Sequence, residues 1–384
     1  MKIQRINLYH VSLPFLSAFS HSIRRGISAE NIIVEILADG GGVTGYGEGA
    51  PRPYVTGETQ ESSIESVGLL LSRPDFPWDL EDITQVWRFI DGLPEERRHN
   101  ASLCALESSL LDFVGKLEGK SIVEYFPRDN FTDTIFYGAA IPLDERSRII
   151  EIARFIQGLG ISRIKLKVGR DLHENLETTK TVVDIFGGSC DIKLDVNGAW
   201  DRELALKHVP LVEEYNIKVV EQPMKPGDHG LAEFSRNVKE LGVRIMADES
   251  VCTLGDAKRI LAEGYYDMVN IRLSKCGGFQ RSLEIIGYLR EQGIPFQIAC
   301  QLGESGLLSA AGRALSLLCK DSLYYDGSYD RFLLKENITT EDVSFGPGGI
   351  AGPLGGTGLG VRVSQKNLRN VTLSSVTFTN PHGH

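Results

Sequence analysis

Lysines and carboxylates recur at the ends of short apolar stretches in the middle of the chain, and their spacing suggests proton chemistry. Five such stretches are Ile164-Lys165-Leu166-Lys167-Val168, Ile192-Lys193-Leu194-Asp195-Val196-Asn197, Val219-Val220-Glu221-Gln222-Pro223, Ile245-Met246-Ala247-Asp248-Glu249-Ser250 and Val269-Asn270-Ile271-Arg272-Leu273-Ser274. Each alternates with the two-residue period of a β-strand, apolar side chains on one face and polar ones on the other. Charged groups on an inward face are costly unless paired or bound to a metal. A single inward Asp is commonly a salt-bridge partner. Asp195, Glu221 and Asp248 end three successive strands, however, and would repel one another without a cation between them. All-oxygen ligation without His or Cys favours Mg²⁺, with Mn²⁺ able to substitute, over Zn²⁺.

Lys167 and Arg272 stand on strands four apart, so in an eight-stranded barrel they face each other across the mouth. A carboxylic acid held there would have its α-proton acidified by the metal and nearby cations, which stabilise the enediolate. Lys167 is the expected general base, with charged Lys165 beside it favouring the neutral, proton-accepting form and facing the developing oxyanion.

These strands need a scaffold. Apolar strands at 134–141, 163–168, 191–197, 218–222, 243–248, 268–274, 295–300 and 322–326 alternate with amphipathic helical stretches, the pattern of a (β/α) barrel. Barrel active sites lie at the C-terminal ends of the strands, where the three carboxylates fall. Residues 1–130 read as strands (2–12 and 31–37) followed by helices between 59 and 118, a separate α+β module; 131–328 form the barrel. Residues 329–384, Gly/Pro-rich and then strand-like, return to the N-terminal module. The glycines at 40–48 lack the strand–turn–helix setting of a dinucleotide loop and read as a hairpin turn.

Composition narrows the class. The chain has 384 residues, and 41 Lys+Arg against 51 Asp+Glu give a net charge of −10, which argues against nucleic acid as a partner. No apolar run is long enough for a membrane span, and the N-terminus lacks a signal-peptide core. Six scattered cysteines without a C-x-x-C pair read as reduced, buried small hydrophobes, and the expected compartment is the cytoplasm.

Lys165-x-Lys167, Asp195-x-Asn197, Glu221-Gln-Pro and Ala247-Asp248-Glu249-Ser250, in this order and spacing, resemble the enolase superfamily, muconate lactonizing enzyme subgroup. This superfamily is itself a standard illustration of a Lys or His base working with one or two Mg²⁺ ions. The resemblance implies an α/β fold, a (β/α)₇β barrel capped by an α+β domain, with Mg²⁺ on Asp195, Glu221 and Asp248 and Lys167 as base. It further implies a homo-oligomer and cap stretches near Phe15–Ser28 and Pro51–Thr59 that close over a small carboxylate substrate, so that Arg24 and Tyr54, with Asn197, are substrate-contact candidates.

Two departures bear on the reaction. The subgroup's second catalytic lysine, twenty-four residues after the third ligand, is replaced by Arg272. Arginine holds its proton too firmly for a comfortable base but is a strong fixed cation. Lys275 offers a second base, although its parity is wrong for the interior. On the last strand the Asp-x-Asp pair with which dipeptide epimerases bind an ammonium is reduced to Asp326, while Pro51–Thr59 does look like those enzymes. Glu304 matches a family acidic position and could orient a base or bind substrate. One-base chemistry is favoured: cycloisomerisation of a muconate-like diacid, or β-elimination of the o-succinylbenzoate synthase kind. The alternatives are an amino-acid or dipeptide epimerase using Arg272 or Lys275, and a non-catalytic barrel that binds a metal carboxylate.

Overall fold

A computed structural model describes residues 2–20, 25–188 and 190–382. Strands β1 (Ile3–Ser20), β2 (Arg25–Ala38), β3 (Thr44–Gly49) and the chain's last strand, β14 (Thr372–Thr379), form an antiparallel sheet in the order β14-β1-β2-β3. The C-terminal segment therefore returns to the N-terminal module. β1 and β2 run well past the expected 2–12 and 31–37. Their ladder continues through Pro14↔Ser28 to Phe19↔Gly26, making a hairpin arm where closing loops were expected. Arg24 lies outside the described residues.

Against this sheet lie α1 (Gln60–Leu71), α2 (Ile83–Asp91) and α3 (Asn100–Glu118). The glycines of β3 explain how closely α3 approaches. Gly45, Gly47 and Gly49 alternate on one face, and a Cβ on them would lie 2.3, 2.0 and 2.2 Å from the carbonyl oxygens of Ser109, Ala105 and Ala101. A period-two glycine row thus receives a period-four row of a helix, which buries every α3 residue from Asn100 to Gly115.

After the two-residue β4 (Ile135–Phe136) come eight parallel strands: β5 (Ala139–Ile141), β6 (Arg163–Lys167), β7 (Asp191–Asp195), β8 (Val219–Glu221), β9 (Arg244–Ala247), β10 (Met268–Arg272), β11 (Phe296–Ala299) and β12 (Tyr324–Asp326). Helices α4 (Arg146–Gly158), α5 (Leu172–Phe186), α6 (Arg202–Glu214), α7 (Leu231–Lys239), α8 (Leu254–Glu263), α10 (Phe279–Glu291) and α11 (Gly306–Leu317) connect them, with a single turn, α9 (Leu273–Cys276), preceding α10. A parallel bridge from Tyr137 to Tyr325 brings the first strand against the eighth. The eighth barrel strand is followed by the four-residue α12 (Asp330–Leu333) and not by a full barrel helix, so the architecture is (β/α)₇β. The two-residue β13 (Ile350–Ala351) pairs with β4, and α13 (Gln365–Val371) leads back to the cap.

The barrel interior is layered. Val219, Met246, Met268 and Tyr324 form a small apolar cluster of their own at its base. The next inward positions are polar: Lys165, Lys193, Asn270, Gln297 and Asp326, all buried. Outward residues such as Ile164, Leu166, Ile192 and Leu194 belong to the main core.

Three buried cap residues join the two parts. Glu48 accepts from the Ser305 and Leu308 amides (3.0 and 2.9 Å) at the N-terminus of α11. Glu107 accepts from the Phe279 and Gln280 amides (2.5 and 3.0 Å) at the N-terminus of α10. Asn100 donates to the carbonyls of Cys252 and Lys275. Each satisfies donors or acceptors that would otherwise be orphaned. Among the described residues no helix is long and apolar enough to cross a membrane.

Candidate active site

Strand register brings the site together. Lys167 lies opposite Asp195 and Asp195 opposite Glu221, while Glu221 faces Met246, two residues before Asp248. The three carboxylates therefore share the C-terminal end of the barrel and are at most 1% exposed. Just beyond two of them the chain bends through left-handed conformations at Asn197 (φ 48°) and Gln222 (φ 38°). Asn tolerates this region, whereas Gln222 needs support. It has support: its amide donates to Met224 O and Ser250 Oγ, and its Oε1 accepts from the Asp248 and Ser250 amides. Gln222 thus fixes the turn that carries Asp248, a role that sequence reading did not assign.

Each carboxylate faces a cation. Lys167 Nζ donates to Asp195 Oδ2 (2.8 Å) and Asn197 Oδ1 (2.7 Å). Lys165 Nζ is 2.8 Å from Glu221 Oε2 and 3.1 Å from Asp326 Oδ2. Arg272 binds Asp248 Oδ2 through Nη2, stands 3.6 Å from Glu221, and donates through Nη1 to Gln301 Oε1 (2.8 Å). Burial by itself would lower the pKa of Arg272, but Asp248, then Glu221 and Glu249, carry it well above its ordinary value. The same contest raises Lys165, with Glu221 and Asp326 outweighing burial. Burial works against the ionised Asp195, yet Lys167 and Lys165 hold its pKa below the ordinary range.

Among the described residues, no three His, Cys, Asp or Glu side chains converge as a ready-made metal cage. The expected trio shares one rim, where each carboxylate is held by a lysine or the arginine. The donor set nevertheless fits a hard divalent cation, being all oxygen and carried by three adjacent strand ends. Two buried oxygens nearby, Glu221 Oε2 and Glu249 Oε2, lack a hydrogen-bond partner; Lys165 is close to the former but off the line of a hydrogen bond. Burial, then Asp248, pushes Glu249 up to about 7.

A cavity of about 580 Å³ opens on this rim, with Lys165, Lys167, Asp195, Arg272, Glu304 and Asp326 in its wall. Asn197 lies beneath it, against Lys167 and Glu249. Tyr54 is half-buried and does not line the cavity.

The structure corrects the second-base role of Lys275. Its ammonium is fully buried and donates to Asp248 O (2.7 Å), Asp248 Oδ1 (3.0 Å) and Asn270 O (2.7 Å), which uses all three donors. The expected strand 268–274 ends at Arg272, and Lys275 sits in α9, behind the site.

Asp326 is likewise committed: Lys193 Nζ lies 2.8 Å from Oδ2, opposite Lys165, and also bonds Gln297. Burial opposes ionisation of Asp326, but Lys193 and Lys165 bring it down to about 2. Lys193, Gln297 and Gln301 were not singled out from sequence. The inward parity of Lys193 was the available signal.

Comparison with known proteins agrees with this geometry. The family described as Enolase C-terminal domain-like matches residues 149–367, and the chain belongs to the enolase superfamily. It is 29% identical over 367 residues to muconate cycloisomerase 1 of Rhodococcus opacus, covering 90% of this chain and 92% of that one. It is 27% identical over 390 residues to o-succinylbenzoate synthase of Bacillus subtilis, covering both in full. Among solved structures, a dipeptide epimerase from Enterococcus faecalis V583, complexed with Mg and the dipeptide L-Leu-L-Tyr, superposes with a TM-score of 0.82 at 26% identity, covering 94% of this chain and 99% of that one. The protein is an enolase-superfamily enzyme whose relatives catalyse different reactions on acids.

Proposed function

We propose that the protein is an isomerase or lyase that moves the α-proton of a carboxylic acid on one face through an enolate. The proton is either removed, so that the enolate expels a β-leaving group, or delivered to the enolate formed when a second carboxylate closes a ring on the double bond. Asp195, Glu221 and Asp248 would hold Mg²⁺, consistent with the Mg-complexed dipeptide epimerase relative. When bound, the ion supplies Lewis-acid polarisation of the substrate carboxylate. Lys167, in the cavity wall, takes or delivers the proton at Nζ. Lys165, held charged by Glu221 and Asp326, faces the negative charge that develops on the acid. Arg272 is a fixed cation that binds the enolate oxygen or a second acidic group bidentately. Asn197 orients Lys167 by accepting, at Oδ1, the 2.7 Å hydrogen bond from Lys167 Nζ.

One observation carries the one-face reading. The only lysines in the cavity wall, among the described residues, are Lys165 and Lys167; the other candidate, Lys275, is enclosed behind Asp248. The similarity to a dipeptide epimerase supports a second reading, inversion at the α-carbon with Arg272 returning the proton. A panel of carboxylic acids incubated with the Mg²⁺-loaded enzyme in D₂O separates them by NMR and chiral chromatography. Deuterium gain with ring closure, elimination or retention is expected. Gain with inversion would favour the epimerase, and no gain with any acid would sink both.

A further inference from the structure

The cavity is larger than its chemistry requires. At about 580 Å³ it lies in the range that encloses a drug-sized molecule, whereas the lysines, Arg272 and Asp195 occupy only one end. The other end is predominantly apolar, and charged side chains at its margin are paired, Arg148 with Glu151 (2.6 Å) and Arg331 with Asp342 (2.5 Å). It follows the α4 face through Ile152, Phe155 and Leu159 and meets Phe332, Leu333 and Phe345. Among the described residues no full helix packs on this face of α4, because the eighth barrel strand is followed by the four-residue α12.

Large apolar side chains stay exposed there. Phe155 is 52% exposed and Phe332 is 37% exposed. The two rings meet edge-on at 5.8 Å, and Phe332 leans on Phe345 at 5.5 Å, which preforms an aromatic wall. Exposed aromatic surface continuous with a charged site is unfavourable until something apolar covers it. The acids beside the reacting centre and along this branch are already engaged: Glu151 pairs with Arg148 (2.6 Å) and Asp330 accepts from Asn337 (2.6 Å). Asp326 is already shared by Lys165 and Lys193, and Glu304 accepts the Gln301 amide (2.5 Å) with burial pushing it up to about 8.

We propose that this apolar branch is the specificity pocket, and that the substrate is a carboxylic acid bearing an extended, uncharged aryl or branched-alkyl group that lies against Phe155 and Phe332. A compact diacid would leave the branch empty, and a zwitterion would bring an ammonium to acids that are already paired. The inference rests on the enolate reading for its chemistry, and on the cavity alone for its shape.

Three probes share one reacting centre: N-acetyl-L-alanine, N-(4-phenylbutanoyl)-L-alanine and the zwitterion L-phenylalanyl-L-alanine. Exchange of the α-proton is followed by NMR in D₂O with the Mg²⁺-loaded full chain. The phenylbutanoyl acid should exceed the acetyl acid in kcat/KM by at least about tenfold, mostly through KM, and should exceed the zwitterion by a similar factor. Phe155→Asp should collapse the first ratio, and Phe155→Leu should keep most of it. Ratios within about twofold for the wild type, or equal losses on both acids in Phe155→Asp, would overturn the pocket. If no probe exchanges, the enolate reading is decided by the wider panel of acids, and the pocket is judged separately by calorimetry. Tighter binding of the phenylbutanoyl acid, lost in Phe155→Asp, would support the pocket, and equal binding would overturn it.

Discussion

Arg272→Lys should turn a one-face enzyme into one that also inverts its substrate. At pH 8 a guanidinium with an ordinary pKa of about 12.5 costs about 6 kcal/mol to deprotonate, at about 1.4 kcal/mol per unit. The surrounding carboxylates, Asp248 foremost, raise Arg272 further despite its burial, so the free base is scarcer still. A lysine with an ordinary pKa of about 10.4 has roughly a hundredfold more free base at the same pH. The exchange has a cost, because one ammonium cannot reproduce the fork that joins Asp248 to Gln301. Loss of a hydrogen bond to a charged group, about 1.5–3 kcal/mol, should slow the one-face reaction about 10- to 100-fold. The assay follows an enantiopure acid in D₂O, with NMR for deuterium and chiral chromatography for inversion. The wild type should exchange with retention or go on to product, and the variant should be slower but visibly scramble the α-carbon. Wild-type inversion as fast as exchange would refute the reasoning, as would a variant that never inverts.

Burial pushes Glu304 from its ordinary 4.5 up to about 8, so its folded value exceeds its unfolded one. Its stabilising contribution is then complete below about pH 4 and lost as pH rises through 8. Glu304→Gln should hold its melting temperature at pH 9 where the wild type declines, and parallel alkaline profiles in differential scanning calorimetry would count against this. Glu48→Ala removes the acceptor for the Ser305 and Leu308 amides and should cost about 3 kcal/mol in urea unfolding. A change under about 0.5 kcal/mol would mean that cap and barrel do not depend on this contact. Saturating Mg²⁺, at about a hundred times its Kd, should stabilise the wild type by about 2.7 kcal/mol. That gain should vanish with EDTA or in Asp195→Asn; a gain that survives in Asp195→Asn would place the ion elsewhere.

Much of the site was legible because strand parity is a two-residue code. Lys165 and Lys167 had to share a face once Ile164, Leu166 and Val168 took the other, and parallel register then set Asp195 beside Glu221. Closure of the barrel was less legible. It brings Lys193 of β7 to Asp326 of β12, a pairing 133 residues apart that no local pattern announces. The fate of Lys275 turned on a strand end. Gly277 and Gly278, with φ of 88° and 101°, end the single turn α9, and a Cβ on Gly278 would stand 1.8 Å from Glu107 Oε2. That close approach depends on the cap, so sequence alone placed strand where the chain already turns. The apolar branch escaped notice for a similar reason: the exposed face of α4 reflects a missing neighbour, not a residue pattern on α4 itself.

The central claim is that Lys167 takes the α-proton in this cavity. It is tested most directly by comparing wild type and Lys167→Ala, both Mg²⁺-loaded, in D₂O with any acid that the wild type exchanges. A positioned general base contributes about 10²- to 10⁴-fold, so the variant should lose at least about a hundredfold in α-exchange. Its circular dichroism and Mg²⁺ affinity should stay close to those of the wild type. Undiminished exchange in Lys167→Ala would contradict the account.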